Sequence, residues 1–227
     1  MLRSLRDLFG CGVEARDGSI GKVRDAFMDD AHWAVRYLAV HTGGWLDRHE
    51  VLVSPAAVER VDWDGWLMWV RLTRAQVEGS PDVDAHRPVS RQHELQFAAY
   101  YGWPQYWEGA ALWGMAMAPS ALIEAAAAVH GVEAAPEPPP GDRHLHSARE
   151  VIGYHIQATD GEIGHIEDFM VEDGSWAVRS MVVGTRNWLP GRRVLVPTDR
   201  IREFRWAGAC ACVDMTREEV AAAPETG

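Results

Sequence analysis

Along residues 12–81, apolar and polar positions alternate in short runs, and each run stops at Gly, Asp or Pro. A period of two marks half-buried strands, and such punctuation marks turns. The runs predict strands over residues 12–16, 20–28, 35–41 and 51–53, with Pro55 ending the last. Asp17-Gly18 and Asp29-Asp30-Ala31-His32 read as turns, and residues 42–48 as a loop. Residues 58–63 and 66–72 read as a hairpin across Asp64-Gly65, because Asp-Gly tolerates the positive φ of tight turns. Thr73 is placed to cap a short helix, Arg74–Glu78, which Gly79 and Pro81 stop.

The pattern then changes. Ser90 can cap a helix over Arg91–Tyr101, with Gly102 and Pro104 as stop signals. Tyr100, Tyr101, Trp103, Tyr106 and Trp107 follow within eight positions, a dense aromatic cluster. Pro119 and Ser120 open a second helix through residues 121–130, rich in alanine and therefore helix-prone, closed by Gly131. Residues 136–141 form a proline-rich, semi-rigid linker.

After the linker the strand pattern returns, and it is the same text. Asp17-Gly18-Ser19-Ile20-Gly21-Lys22-Val23-Arg24-Asp25 followed by Trp33-Ala34-Val35-Arg36 reappears 143 residues later. There it reads Asp160-Gly161-Glu162-Ile163-Gly164-His165-Ile166-Glu167-Asp168 followed by Trp176-Ala177-Val178-Arg179. The copies align without a gap from Ser4/Ser147 to Pro81/Pro224, about a third of positions being identical, which fits duplicated domains better than a solenoid. In the second copy Thr216 caps a helix over residues 217–222. Short strands with regular turns imply small barrels or sandwiches. The expected architecture is therefore mainly β. Two small β-barrels related by internal duplication occupy 1–85 and 147–227, joined by a helical, aromatic-rich insert and linker at 86–146. Trp33/Trp176, Trp45/Trp188 and Trp63/Trp206 recur as paired fillers of modest cores.

Charge and cysteine content narrow the role. The net charge is −11, and acidic side chains outnumber basic ones in all three segments. No basic footprint exists for nucleic acid or an anionic membrane surface. Three cysteines, Cys11, Cys210 and Cys212, do not make a disulfide framework and fit a reducing compartment. Cys210 and Cys212 share one face of an expected strand, as small core residues. The N-terminus lacks the apolar run of a signal peptide. Residues 110–129 are mostly alanine interrupted by Pro119, Ser120 and Glu124, too weakly apolar to span a membrane. The expected compartment is the bacterial cytoplasm.

The repeated Asp-Gly-x-Ile-Gly-x-Val/Ile-x-Asp, the strand after Trp-Ala-Val-Arg, the Val-Leu-Val run and the closing Thr-Arg-x-x-Val-x-x-x-Pro resemble the PRC-barrel domain. That family is named for the cytoplasmic barrel of the photosynthetic reaction centre H subunit, and it includes the C-terminal domain of the ribosome maturation factor RimM. The resemblance covers both copies. It implies a strongly bent β-barrel used for protein contact and assembly, and it brings no catalytic residue. The chain departs from the reaction-centre subunit in lacking a membrane helix, and from RimM in pairing two such barrels.

Candidate chemistry is sparse. Asp25 and Asp168 are expected to accept turn or backbone hydrogen bonds or to pair with Arg36 and Arg179. Asp29-Asp30 and Glu172-Asp173 read as turn acids, too few for calcium. Ten histidines include His144-x-His146, but none has a zinc-motif spacing. No nucleophile elbow or phosphate loop is present. The expectation is a non-enzymatic protein-binding or assembly module with no cofactor and no metal, binding a protein partner or itself. The alternatives are an accessory protein of photosynthetic or other electron-transfer complexes, and a small-ligand or metal-binding protein. Trp66, Trp69, Tyr100, Tyr101, Trp103, Tyr106 and Trp107 form the candidate interaction surface, since Tyr and Trp bury large areas at low entropic cost. Trp66 and Trp69 stand opposite Ala209 and Cys212 in the other copy. The competing reading of residues 100–107 is internal packing that covers an open barrel edge.

Overall fold

The computed structural model describes residues 1–43, 50–81, 89, 91–107, 109–128, 145–185 and 192–226, apart from the side chains of 92, 125–128 and 206. The Ser90 cap, the linker at 136–141, His144, Trp45, Trp188 and the end of the second insert helix lie outside these residues.

In chain order the strands are β1 (Leu2–Ser4), β2 (Gly12–Ala15), β3 (Gly18–Asp29), β4 (Ala34–His41), β5 (Glu50–Val53), β6 (Val58–Asp62) and β7 (Leu67–Val70). Helices α1 (Arg74–Glu78), α2 (Arg91–Tyr101) and α3 (Pro119–Ala128) follow. The second half begins with β8 (Leu145–Ser147) and α4 (Ala148–Val151). It continues with β9 (His155–Ala158), β10 (Gly161–Glu172), β11 (Val178–Gly184), β12 (Arg193–Pro197), β13 (Ile201–Arg205), β14 (Cys210–Val213) and α5 (Arg217–Ala221). The molecule is mainly β, with two barrel-like domains. Each carries a seven-stranded sheet: β5-β4-β3-β2-β7-β6 with β8 added to β3, and β12-β11-β10-β9-β14-β13 with β1 added to β10.

The long strands β3 and β10 organise the two sheets. Each is twelve residues and serves three neighbours. β3 pairs along one edge with β4, and its other edge is split between β2 near the Asp17-Gly18 turn and β8 at Phe27–Asp29. β10 does the same with β11, β9 and β1. Register shifts at Val23/Asp25 and Phe27/Met28, and at Ile166/Asp168 and Met170/Val171, mark bulges that bend the strands where their pairing partners change.

The repeated glycine is required by close approach. A Cβ on Gly21 would lie 1.9 Å from the His41 carbonyl oxygen, and one on Gly164 2.0 Å from that of Gly184. Only hydrogen lets β4 and β11 pass so near. The repeated Asp-Gly aspartates do more than turn the chain. Asp17 Oδ1 accepts from the Arg74 amide at 2.8 Å, and Asp160 Oδ1 from the Arg217 amide at 2.8 Å, so each hairpin carboxylate holds the first amide of its closing helix. Both helices also carry a capping box, Thr73 with Gln76 and Thr216 with Glu219.

The compact units cut across the two sequence copies. One comprises Asp7–Ser147 with Asp173–Ala177; the other comprises Met1–Arg6, Ala148–Glu172 and Val178–Gly227. The leading strand of each copy therefore belongs to the sheet built from the other copy. In the first unit, the core around Phe27, Tyr37, Ala39 and Leu52 is completed by Leu145 of β8 and by Val89 and Phe97 of the insert. The insert covers this sheet because copy one offers aromatic side chains, Phe27 and Tyr37, where copy two has Met170 and Ser180. Burying such rings is worth about 1.5–3 kcal/mol each.

Candidate interaction surface

The aromatic cluster sorts into an inner and an outer set. Phe97 of α2 packs 5.8 Å from Tyr37 and 6.3 Å from Tyr101, between ring centroids. Tyr101 in turn stacks on Trp103 at 4.4 Å and meets Tyr100 edge-on at 4.8 Å. Tyr101 and Trp103 are half-buried, while Tyr100 is 42% exposed with its hydroxyl donated to the Gln76 carbonyl at 3.0 Å.

Tyr106 lies deeper and roofs a buried charge. Arg36 and Asp29, both on the copy-one sheet, are fully buried. Arg36 Nε and Nη2 donate to Asp29 Oδ2 at 3.2 and 2.9 Å, and Nη1 donates to the Leu112 carbonyl at 2.7 Å. The guanidinium carbon stands 3.9 Å from the Tyr106 ring centroid and 4.7 Å from that of Trp113. The insert thus supplies two aromatic faces and one carbonyl to a cation removed from water, the conditions under which cation–π attraction is strongest. Trp113 is fixed by its Nε1 donating to the Ser175 carbonyl at 2.8 Å.

A second layer lies behind Tyr106. Its hydroxyl donates a short hydrogen bond to buried Glu94, which Arg91 meets at 3.1 Å. Arg91 also donates to the Tyr106 hydroxyl at 3.2 Å and stacks on Trp107 at 4.0 Å. Burial, followed by the Glu94 charge, pushes the Tyr37 and Tyr106 hydroxyls well above their ordinary pKa. At Asp29, burial favours the protonated acid, but the Arg36 charge, its hydrogen bond and the Ala31 amide outweigh burial and hold the carboxyl below its usual range.

Trp66 and Trp69 sit apart on the β6–β7 hairpin. Trp69 is half-buried under Arg60, whose guanidinium lies 3.6 Å from the ring centroid. Trp66 is 58% exposed and holds φ at 51°; its counterpart Ala209 has φ 46°. A left-handed backbone costs a non-glycine residue about 1–2 kcal/mol. Met115 and Met117, 77% and 67% exposed, are displayed by the tight turns that bury Trp113 and Ala116.

Three sequence expectations are narrowed or changed. For Asp25 and Asp168 the expected backbone hydrogen bonds form, while the alternative pairing with Arg36 and Arg179 does not. Asp25 accepts from the Ala26 amide at 2.7 Å and from the Ser147 hydroxyl, and Asp168 accepts from the Phe169 amide at 2.7 Å and from the Ser4 hydroxyl. Asp29 is a buried ion-pair partner as well as a turn acid, accepting from the Ala31 amide at 2.8 Å. Arg36, Arg91, Glu94, Trp113, Met115 and Met117 were absent from the expected surface. The repeat held a signal for one pair, because position 29/172 is acidic and position 36/179 is Arg in both copies.

Among the described residues, no three His, Cys, Asp or Glu side chains are grouped to hold a metal, and no helix is long and apolar enough to cross a membrane.

The model of the PRC-barrel domain matches residues 144–208. A PRC-barrel domain is present there. The matched stretch takes in β8 through β13, including the bent β10 with its repeated glycine. An uncharacterized protein of Deinococcus radiodurans is 37% identical over 73 residues, covering 32% of this chain and 26% of that protein. The chain therefore spans about a quarter of that relative's length.

Proposed function

We propose that the chain is a non-enzymatic protein-binding and assembly module of the bacterial cytoplasm, built from two tandem PRC barrels. The duplication is supported by the matching strand order of the two sheets, the glycine contacts at Gly21 and Gly164, and the aspartate-to-helix bonds of Asp17 and Asp160. The observation that carries the binding role is Trp66. A tryptophan held more than half in water at a left-handed turn gains nothing for the fold that Ala209 does not supply in the other copy. Rigid, exposed tryptophan is the side chain most enriched at interface hot spots. Tyr100, Met115 and Met117 add exposed apolar surface. Tyr101, Trp103, Tyr106 and Trp107 act beneath them as support.

The test is affinity capture with the wild type and with Trp66→Ala, identifying the proteins retained and measuring thermal stability of both baits. Loss of a stoichiometric partner with stability unchanged is the expected result. An identical set of partners would overturn the role of Trp66. The paired variant Trp103→Ala/Trp107→Ala is expected to lose stability before it loses partners.

A further inference from the structure

We infer that each copy carries a hinge that sends its leading strand to another copy's barrel, and that the partner such an edge fits is a second molecule of this chain. The inference deepens the assembly reading above and rests on it.

The acceptor edges are alike. β8 lies on Phe27–Asp29 with Leu145 opposite Asp29 and Ser147 opposite Phe27. β1 lies on Met170–Glu172 with Leu2 opposite Glu172 and Ser4 opposite Met170. Both donors read Leu-x-Ser. In both, the serine hydroxyl is given to the repeated aspartate, Ser147 to Asp25 and Ser4 to Asp168, and the Arg6 amide adds a bond to Asp168 at 3.2 Å. An acceptor edge with its aspartate thus selects an extended segment whose third residue is Ser, and either copy of any molecule supplies one.

The hinge explains why the edge is open to a foreign strand. In the β2–β3 hairpin, Gly12 pairs with Lys22, and Cys11 and Gly10 continue the ladder to Val23. Extended further back in the same register, residues near 5–7 would cover Phe27–Asp29. They do not, because Leu5–Leu8 forms a 3-10 turn and Gly10 takes φ 91°. The second copy repeats the device: Gly153 donates to the Ile166 carbonyl at 2.8 Å, takes φ 100°, and follows the helical turn α4. A side chain at either glycine has room, since nothing stands within 4 Å, but the left-handed φ disfavours it. The hinge glycine therefore biases the chain away from its own hairpin. A strand docked within one molecule or between two makes the same contacts, so concentration decides between them.

The test mixes two full-length variants, Leu2→Cys and Glu172→Cys, which sit opposite each other in the β1–β10 ladder and leave the bond from Ser4 to Asp168 in place. The mixture is unfolded and refolded together over a range of protein concentrations, then oxidised. A covalent heterodimer can form through this pair only when β1 of one molecule docks on β10 of another. Leu2→Cys mixed with His165→Cys, whose β10 position faces β9 and β11, gives the background from Cys11, Cys210 and Cys212. Heterodimer several-fold above background and rising with concentration is expected, falling several-fold when both chains carry Gly10→Ala and Gly153→Ala. No heterodimer above background at any concentration overturns the proposal. That outcome leaves the Trp66 capture result untouched, so the two readings fail separately.

Discussion

The same ion pair occurs twice in this chain and means different things each time. Asp29–Arg36 in copy one and Glu172–Arg179 in copy two occupy equivalent positions seven residues apart, and both close at short range, 2.9 and 2.6 Å. The copy-one side chains are 0% and 2% exposed for Arg36 and Asp29, whereas Arg179 and Glu172 are 53% and 37% exposed. The strand geometry is shared, so the difference comes from the insert. Leu112 O, Tyr106 and Trp113 enclose Arg36. The insert turns what is a surface pair in copy two into a buried polar core in copy one, and in doing so ties its own position to a charge that must stay paired.

The largest expected effect breaks this contrast directly. Removing one partner of a buried pair costs about 3–5 kcal/mol, and removing one partner of an exposed pair about 0–1 kcal/mol. Arg36→Ala is therefore expected to destabilise the first unit severely, and Arg179→Ala hardly at all, by urea unfolding followed through tryptophan fluorescence. Equal losses in the two variants would show that burial by the insert is not what separates the pairs. Next in size are Gly21→Ala and Gly164→Ala. Each puts a methyl within 2 Å of a backbone oxygen, so each should cost at least about 2–3 kcal/mol, by the same amount in both copies. A large difference between them would mean that the two scaffolds are less alike than their registers.

Much of the scaffold is legible in the sequence. The period-two runs, the Asp-Gly turns and the Thr caps place the strands and closing helix between residues 12 and 78 to within two residues, whereas β1, β8, α4 and the turn at Leu5–Leu8 carry no such signal. The repeat gave two small barrels, because hairpin chemistry is local and its signals lie next to the residues they govern. Two features were not legible. The strand exchange depends on which edge a three-residue strand meets, and Leu-x-Ser reads the same whether it pairs at home or away. Ser4 and Ser147 stood at the head of the alignment, yet nothing in their spacing pointed 164 and 122 residues along the chain to Asp168 and Asp25. The insert was legible as aromatic and helical, but not as two layers. Which ring faces Arg36 is a property of packing, and Tyr106 and Tyr100 differ in sequence context far less than in burial.

Helix caps sharpen the comparison from the other side, since they should not differ. Thr73 and Thr216 each accept from the amide three residues on at 3.2 Å. Replacement of either by Ala is expected to cost about 1 kcal/mol. Matching losses by thermal unfolding would confirm that the closing helix is common ground; a copy-one loss several times larger would mean that the insert leans on α1, through the Tyr100 hydroxyl bond to Gln76.

The smallest effect is in pH, where two carboxylates of the repeated scaffold pull in opposite directions. Asp29 is held below its ordinary pKa. Its contribution is complete above the unfolded-state value near 3.9 and is lost as pH falls through the lower folded value. Asp168 is raised, because burial outweighs the hydrogen bonds from the Ser4 hydroxyl and the Phe169 and Arg6 amides. The folded state then binds the proton more tightly than the unfolded one, so Asp168 favours folding most below about 3.9, and that preference is lost as pH rises through its higher folded pKa. Asp168→Asn keeps an oxygen acceptor for the Phe169 and Arg6 amides, lets its amide NH2 donate to the Ser4 hydroxyl oxygen, and removes the buried charge. It is expected to raise stability slightly at neutral pH and to remove the decline in stability that accompanies deprotonation of folded Asp168 as pH rises above the unfolded-state value. Unfolding midpoints from pH 3 to pH 7 would read this, with Asp25→Asn as the copy-one comparison. If Asp168→Asn instead loses stability at neutral pH, the ionised carboxylate is what holds the exchanged strand, and charge in addition to shape determines which segment an acceptor edge will take.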